Sequence, residues 1–170
     1  AAASEATPAE GASDSDALLL LDTVALETTR GTNREDIIRE LVASIAAAGR
    51  TSDAEALVDA ALAREEQHST GVGNGVAIPH ARTAGVTRPT LAFARLPKPG
   101  IQWAEGEEAT DLVFLIAVPE GSGNQHLKIL SKLARRLMKE DFRAQLRAAG
   151  TREEVIDLVG DAVAVPTPAQ

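Results

Sequence analysis

Two long stretches near the start place apolar residues at helical spacing. In "TNREDIIRELVASIAAAGR", Ile37, Leu41 and Ile45 fall on one face. A capping Thr32 or Asn33 precedes them and Gly49 follows, so a helix is predicted between. "SDAEALVDAALAREEQ" repeats the device, with Ser52 as the cap and Ala56, Leu57, Ala60 and Ala61 as the buried stripe. Around and after these the period changes. "LLLLDTVAL" (18–26) reads as a strand. "GVAIP", "TLAFARLP" and "DLVFLIAVP" are short apolar runs closed by proline, the pattern of buried strands. "SGNQHLKILSKLARRLM" returns to helix, with Leu127, Leu130, Ala134, Leu137 and Met138 predicted inward. "DFRAQLRAA" and "TREEVIDLV" give two short helices separated by Gly150. The expected class is α/β, a mixed central sheet with helices on both faces. Strand order stays open.

Composition narrows this. The chain has 170 residues, enough for one domain with a real core. Aromatics are only 2%, so Leu, Val, Ile and Ala must fill that core. Residues 1–16 lack any large apolar side chain and read as a disordered acidic tail, 17–160 as the domain, and 161–170 as linker-like. No apolar run approaches the ~20 residues of a membrane span. With no cysteine there is no disulfide and no thiolate chemistry. The expected compartment is the cytoplasm. The net charge of −8 is carried largely by the two ends, through Glu5, Glu10, Asp14 and Asp16 and through Glu153, Glu154, Asp157 and Asp161. That acidity argues against non-specific nucleic-acid binding.

The alternate glycines of "GVGNGVAIPHAR" do not form a nucleotide-binding fingerprint. Counting from Gly71, the third glycine position holds Val76, and the strand follows the glycines instead of preceding them. No Gly-Lys-Ser/Thr occurs. A turn with positive φ before a strand is the expectation. Pro79 is read as ending that strand, which puts His80 at the lip of the sheet. There His80 is either a loop cap or a nucleophile, because an ordinary imidazole is largely neutral at about pH 7. His126 opens a patterned helix, where unpaired amides favour an anion. The same helix carries Lys128, Lys132, Arg135, Arg136 and Lys139. Two such histidines suit a transient phosphate, although spacing alone does not show that they meet. His68 lies among polar residues and is expected to be exposed. No histidine or acid spacing supports a metal site.

The segment "REEQHSTGVGNGVAIPHAR" closely resembles the phosphorylation-site signature of the mannitol/fructose-type (type 2) enzyme IIA domains of the bacterial sugar phosphotransferase system. Glu65, Val72, Gly73, Val76, Ala77, Ile78, Pro79, His80 and Ala81 meet every position of that pattern. The resemblance extends over about 17–160 and is nearest the fructose branch, with His126 where the family keeps a second active-site histidine. It implies the mannitol/fructose-type enzyme IIA fold and a phosphohistidine relay without metal or cofactor. His80 accepts a phosphoryl group from HPr and passes it to the cysteine of an enzyme IIB domain. The membrane enzyme IIC is served only indirectly. The expected nucleophilic atom is Nε2, with Nδ1–H held by a carbonyl. His126 and Arg64 are the implied phosphate partners, with Thr70 or Asn74 as a neutral donor. The nitrogen-type enzyme IIA regulators share the motif and bind partner proteins according to phosphorylation state, which is the alternative function.

Overall fold

The computed structural model describes residues 18–121 and 125–163, with the backbone alone for 125–127. In chain order the elements are β1 (Leu19–Leu26), α1 (Arg34–Ala47), α2 (Ala54–Gln67), β2 (Gly71–Gly73), β3 (Val76–Ala77) and β4 (His80–Thr83). There follow β5 (Thr90–Arg95), β6 (Ile101–Gln102), β7 (Ala109–Thr110) and β8 (Leu112–Pro119). Three helices complete the described chain: α3 (Gln125–Leu137), α4 (Glu140–Ala148) and α5 (Arg152–Val163).

The sheet has six strands in the order β1-β5-β8-β3-β2, with β4 also paired to β8. It is mixed: β1 runs parallel to β5, β5 antiparallel to β8, and β3 and β4 both parallel to β8. Strand alternation divides the core in two. Leu91, Phe93, Leu112, Phe114, Ile116 and Val118 face one way and meet Leu133, Phe142, Leu146, Val155 and Val159 of the last three helices. The rings of Phe93 and Phe114 lie 4.6 Å apart at the centre of this face. The intervening Ala92, Ala94 and Ala117 face the other way, with Val113 and Leu115. Their small side chains let α1 and α2 approach the sheet through Ile37, Leu41, Ile45, Leu57 and Ala61. The α/β class with helices on both faces is therefore realised.

The first helix begins and ends as its sequence predicts. Asn33 is its cap, accepting from the Asp36 amide at 2.9 Å. At the other end Gly49 adopts φ +78° while its amide and that of Arg50 bond back to Ala46 and Ile45, the glycine-closed pattern that satisfies terminal carbonyls.

Several expectations need correction. The cap of α2 is Asp53, not Ser52; the Ser52 amide donates to Gly85 instead. Val58 and Glu65 join Leu57 and Ala61 as its buried residues, while Ala56 and Ala60 are half-buried. Met138 is 77% exposed because α3 ends at Leu137, and Leu133 takes the inward place. The side chain of Leu127 lies outside the described residues. The last helix continues past residue 160 to Val163, with Ala162 and Val163 buried. The two tails read from sequence otherwise lie outside the described residues.

Candidate active site

The polypeptide around His80 follows β8 in two steps. The Asn74-Gly75 pair, both at positive φ, makes the tight turn between β2 and β3, as this dipeptide favours in a two-residue hairpin. Val76 and Ala77 then pair with Leu112 and Val113. Pro79 breaks the strand without ending the pairing, since its carbonyl accepts from the Ile116 amide at 2.9 Å. His80 is consequently the first residue of β4, opposite Ile116, and not a loop residue at the lip of the sheet. Among the described residues β4 pairs with β8 alone. A proline is tolerated beside such an edge strand, where the missing N–H breaks no ladder.

Along β4, Ala81 is buried in the small-residue core. Alternation then directs His80 and Arg82 to the opposite side, over Ile116 and Val118. A cavity of about 290 Å³ wraps this edge. Ile116, Val118 and Leu130 line it from the large-residue face, Ala60 and Arg64 from α2, and His80, Ala81 and Arg82 from β4. The imidazole Nδ1 lies 3.0 Å from the Ile78 carbonyl. A carbonyl only accepts, so this contact calls for a proton on Nδ1; in the neutral ring the lone pair then belongs to Nε2. The guanidinium of Arg64 is anchored on the same helix, with Nη1 donating to the His68 carbonyl at 2.8 Å. His68 is exposed and contributes only this carbonyl.

Neither Thr70 nor Asn74 is among the residues that line this cavity. The Thr70 hydroxyl and amide both donate to the buried Glu65 carboxylate, which also accepts from Trp103 Nε1 at 3.1 Å. Thr70 is thereby committed to the interior, and its carbonyl accepts the Ile78 amide at 3.0 Å. Asn74 sits at the other end of the sheet, where its carbonyl accepts from Arg147 at 2.8 Å. The β8 partners of Val76 and His80, Leu112 and Ile116, are about 13 Å apart at strand rise, and Asn74 lies beyond Val76. Arg147 is itself held by Asp111 through two bonds of 2.8 and 2.9 Å, which raise its pKa above the usual guanidinium value. His126 is in the first turn of α3, and its side chain lies outside the described residues. One helical turn further on, Leu130 lines the cavity.

Sequence reasoning overlooked Arg82 and the Glu65–Trp103 pair. Strand alternation carries Arg82 to the side of His80, a signal hidden once Pro79 was read as a terminator. The lone tryptophan, placed in an apolar core, needs a partner for its N–H, and Glu65 supplies it.

The family model described as phosphoenolpyruvate-dependent sugar phosphotransferase system, EIIA 2, matches residues 18–161. The chain belongs to this family. It is thus an EIIA domain, a phosphotransferase component of that system. The fructose-specific EIIABC component of Bacillus subtilis is 44% identical over 128 residues, covering 74% of this chain and 20% of that protein. The fructose-specific EIIA component of Haloferax volcanii is 42% identical over 144 residues, covering 84% of this chain and 92% of that protein. This EIIA domain therefore spans about a fifth of the first relative and nearly all of the second. Among solved structures, the nitrogen regulatory protein IIA-Ntr from Neisseria meningitidis superposes with a TM-score of 0.75 at 31% identity, covering 84% of this chain and 96% of that one. The Escherichia coli complex of mannitol enzyme IIA with phosphorylated enzyme IIB gives 0.68 at 24% identity, over 85% and 99% of the chains. The last likeness establishes the mannitol-type EIIA fold.

Proposed function

We propose that the protein is a phosphoryl relay for fructose-type sugar uptake, with His80 as its phosphorylated residue. The observation that carries this reading is the 3.0 Å contact of His80 Nδ1 with the Ile78 carbonyl, at a residue that lines the cavity. With Nδ1–H donated to Ile78, the neutral ring keeps a lone pair on Nε2 to act as the nucleophile. Nε2 attacks the phosphorus of a phosphohistidine on HPr. The new N–P bond forms as the donor's N–P bond breaks, and the donor imidazole leaves with the electron pair. In the second half the thiolate of an enzyme IIB cysteine attacks the same phosphorus, and His80 leaves. Enzyme IIC is reached only through IIB, so the sugar does not touch this chain. Fructose is the reading because the two fructose-specific relatives are 44% and 42% identical.

The surroundings suit this chemistry. Phosphoryl transfer needs alignment and neutralised charge more than covalent assistance. Arg64, anchored at the end of α2, supplies a charge-assisted donor worth about 1.5–3 kcal/mol. Ile116, Val118 and Leu130 form an apolar floor that keeps water from the labile N–P bond. His126 is the proposed second histidine: its position in α3 is one turn before Leu130, on the same helical face. This relay operates in the cytoplasm, and no described helix is long and apolar enough to cross a membrane.

The test is incubation with enzyme I, HPr and phosphoenolpyruvate, followed by intact mass and transfer to a IIB domain. One phosphoryl group is expected on the wild type and none on His80→Ala. Equal labelling of that variant overturns the assignment. The likeness to the Neisseria nitrogen regulatory protein favours a second reading, phosphorylation-dependent binding of a regulatory partner. Labelled protein that never passes its phosphate to any IIB domain would select that reading.

A further inference from the structure

We propose that Arg82 is a second guanidinium in contact with the phosphoryl group, acting along the same strand as the nucleophile. The proposal rests on the reading that His80 is phosphorylated. Its basis is register. His80 pairs with Ile116 and Arg82 with Val118, while the intervening Ala81 turns into the core. Residues two apart on a strand share a side, with Cα atoms about 6.6 Å from one another. An arginine side chain is long enough to cover that span. Both residues line the same cavity.

The charge balance of the cavity points the same way. A phosphohistidine carries close to two negative charges near neutral pH, and a single guanidinium offsets only one of them. The floor offers no donor, being Ile116, Val118 and Leu130. Among the described residues no carboxylate lines this cavity, whereas the cavity at the opposite end of the sheet mixes Lys98, Arg143 and Arg147 with Glu108, Asp111 and Glu140. The charged lining around His80 is therefore cationic, from Arg64 on α2 and Arg82 on β4. The two belong to different elements that border the same cavity. A planar guanidinium also offers paired N–H donors to two phosphate oxygens, which a lysine cannot reproduce.

The experiment uses the full chain and two linked readouts. The first is the phosphorylated fraction at equilibrium with phospho-HPr. The second is a 31P titration of the phosphohistidine, which follows protonation of the phosphoryl oxygens. In Arg82→Met the equilibrium is expected to shift about tenfold toward the unphosphorylated form, and the titration midpoint to move to higher pH. Arg82→Lys restores the midpoint in part, and Arg135→Met, on an exposed helical face, leaves both readouts unchanged. An unaltered midpoint in Arg82→Met overturns the contact, even if the equilibrium shifts, because a cation touching the phosphoryl oxygens favours their ionised form, whereas a purely structural role leaves their ionisation untouched. Absence of any phosphohistidine signal in the wild type overturns the His80 reading itself and this role with it. A normal wild-type signal with unchanged variants overturns only the role of Arg82.

Discussion

Glu65 is 3% exposed and accepts from three donors: the Thr70 amide, the Thr70 hydroxyl and the Trp103 indole. Arg34 lies 3.8 Å away as its nearest cation. Glu65→Ala removes every one of these acceptors at once. The Thr70 hydroxyl can rotate to another partner, but the two N–H groups are fixed and buried. Each unsatisfied buried donor costs about 1–3 kcal/mol, so the expected loss is about 3–5 kcal/mol once the cavity is included. That is a large share of the roughly 5–15 kcal/mol that holds a domain together. Glu65→Gln keeps a carbonyl oxygen for the N–H donors and should lose about 1–2 kcal/mol. Urea unfolding followed by tryptophan fluorescence reads this directly, because Trp103 is the single tryptophan and is buried against the substituted residue. The damage should also reach the site: Thr70 anchors the Ile78 amide, two residues before His80. A loss below about 1 kcal/mol in Glu65→Ala, with the emission spectrum unchanged, would refute the reasoning about buried donors.

Two further substitutions probe the frame. Gly100 has φ +85°, and a Cβ there would lie 2.4 Å from the Thr110 carbonyl oxygen. Gly100→Ala should cost at least about 2 kcal/mol, a fall of about 4–8 °C in Tm for a chain of this size, and an unchanged Tm would contradict the conformation. Arg147→Met removes both bonds to Asp111 and the bond to the Asn74 carbonyl. Because the pair is partly exposed, about 1–2 kcal/mol is expected, shrinking at high salt; a loss that does not respond to salt would contradict an ionic clamp.

Local signals made most of the frame legible. Asn33 and Gly49 bracket the first helix by cap chemistry, and the Asn74-Gly75 pair dictates the hairpin. The apolar runs at 90–95 and 112–119 are strands buried on both faces, so their residues needed no alternation in polarity to be read. What escaped depended on distant partners. Pro79 looks like a terminator locally, yet β8 continues to pair on either side of it. Asp53 displaces Ser52 as the cap because the Ser52 amide is drawn to Gly85, far along the chain. At the site, His80 and Arg64 were legible from the motif and do share a cavity. For Thr70 the motif does not show that its amide and hydroxyl donate to Glu65, itself a residue of the motif. For Asn74, sequence proximity to His80 hides the length of strand between them. The meeting of His126 with His80 lies outside the described side chains.

The most direct measurement is the site of the N–P bond in the phosphorylated protein, read by correlating the imidazole 15N, 1H and 31P resonances. The account predicts a single phosphohistidine, at Nε2 of His80, with Nδ1 retaining its proton toward Ile78. Phosphate at Nδ1, or on any other residue, would contradict it.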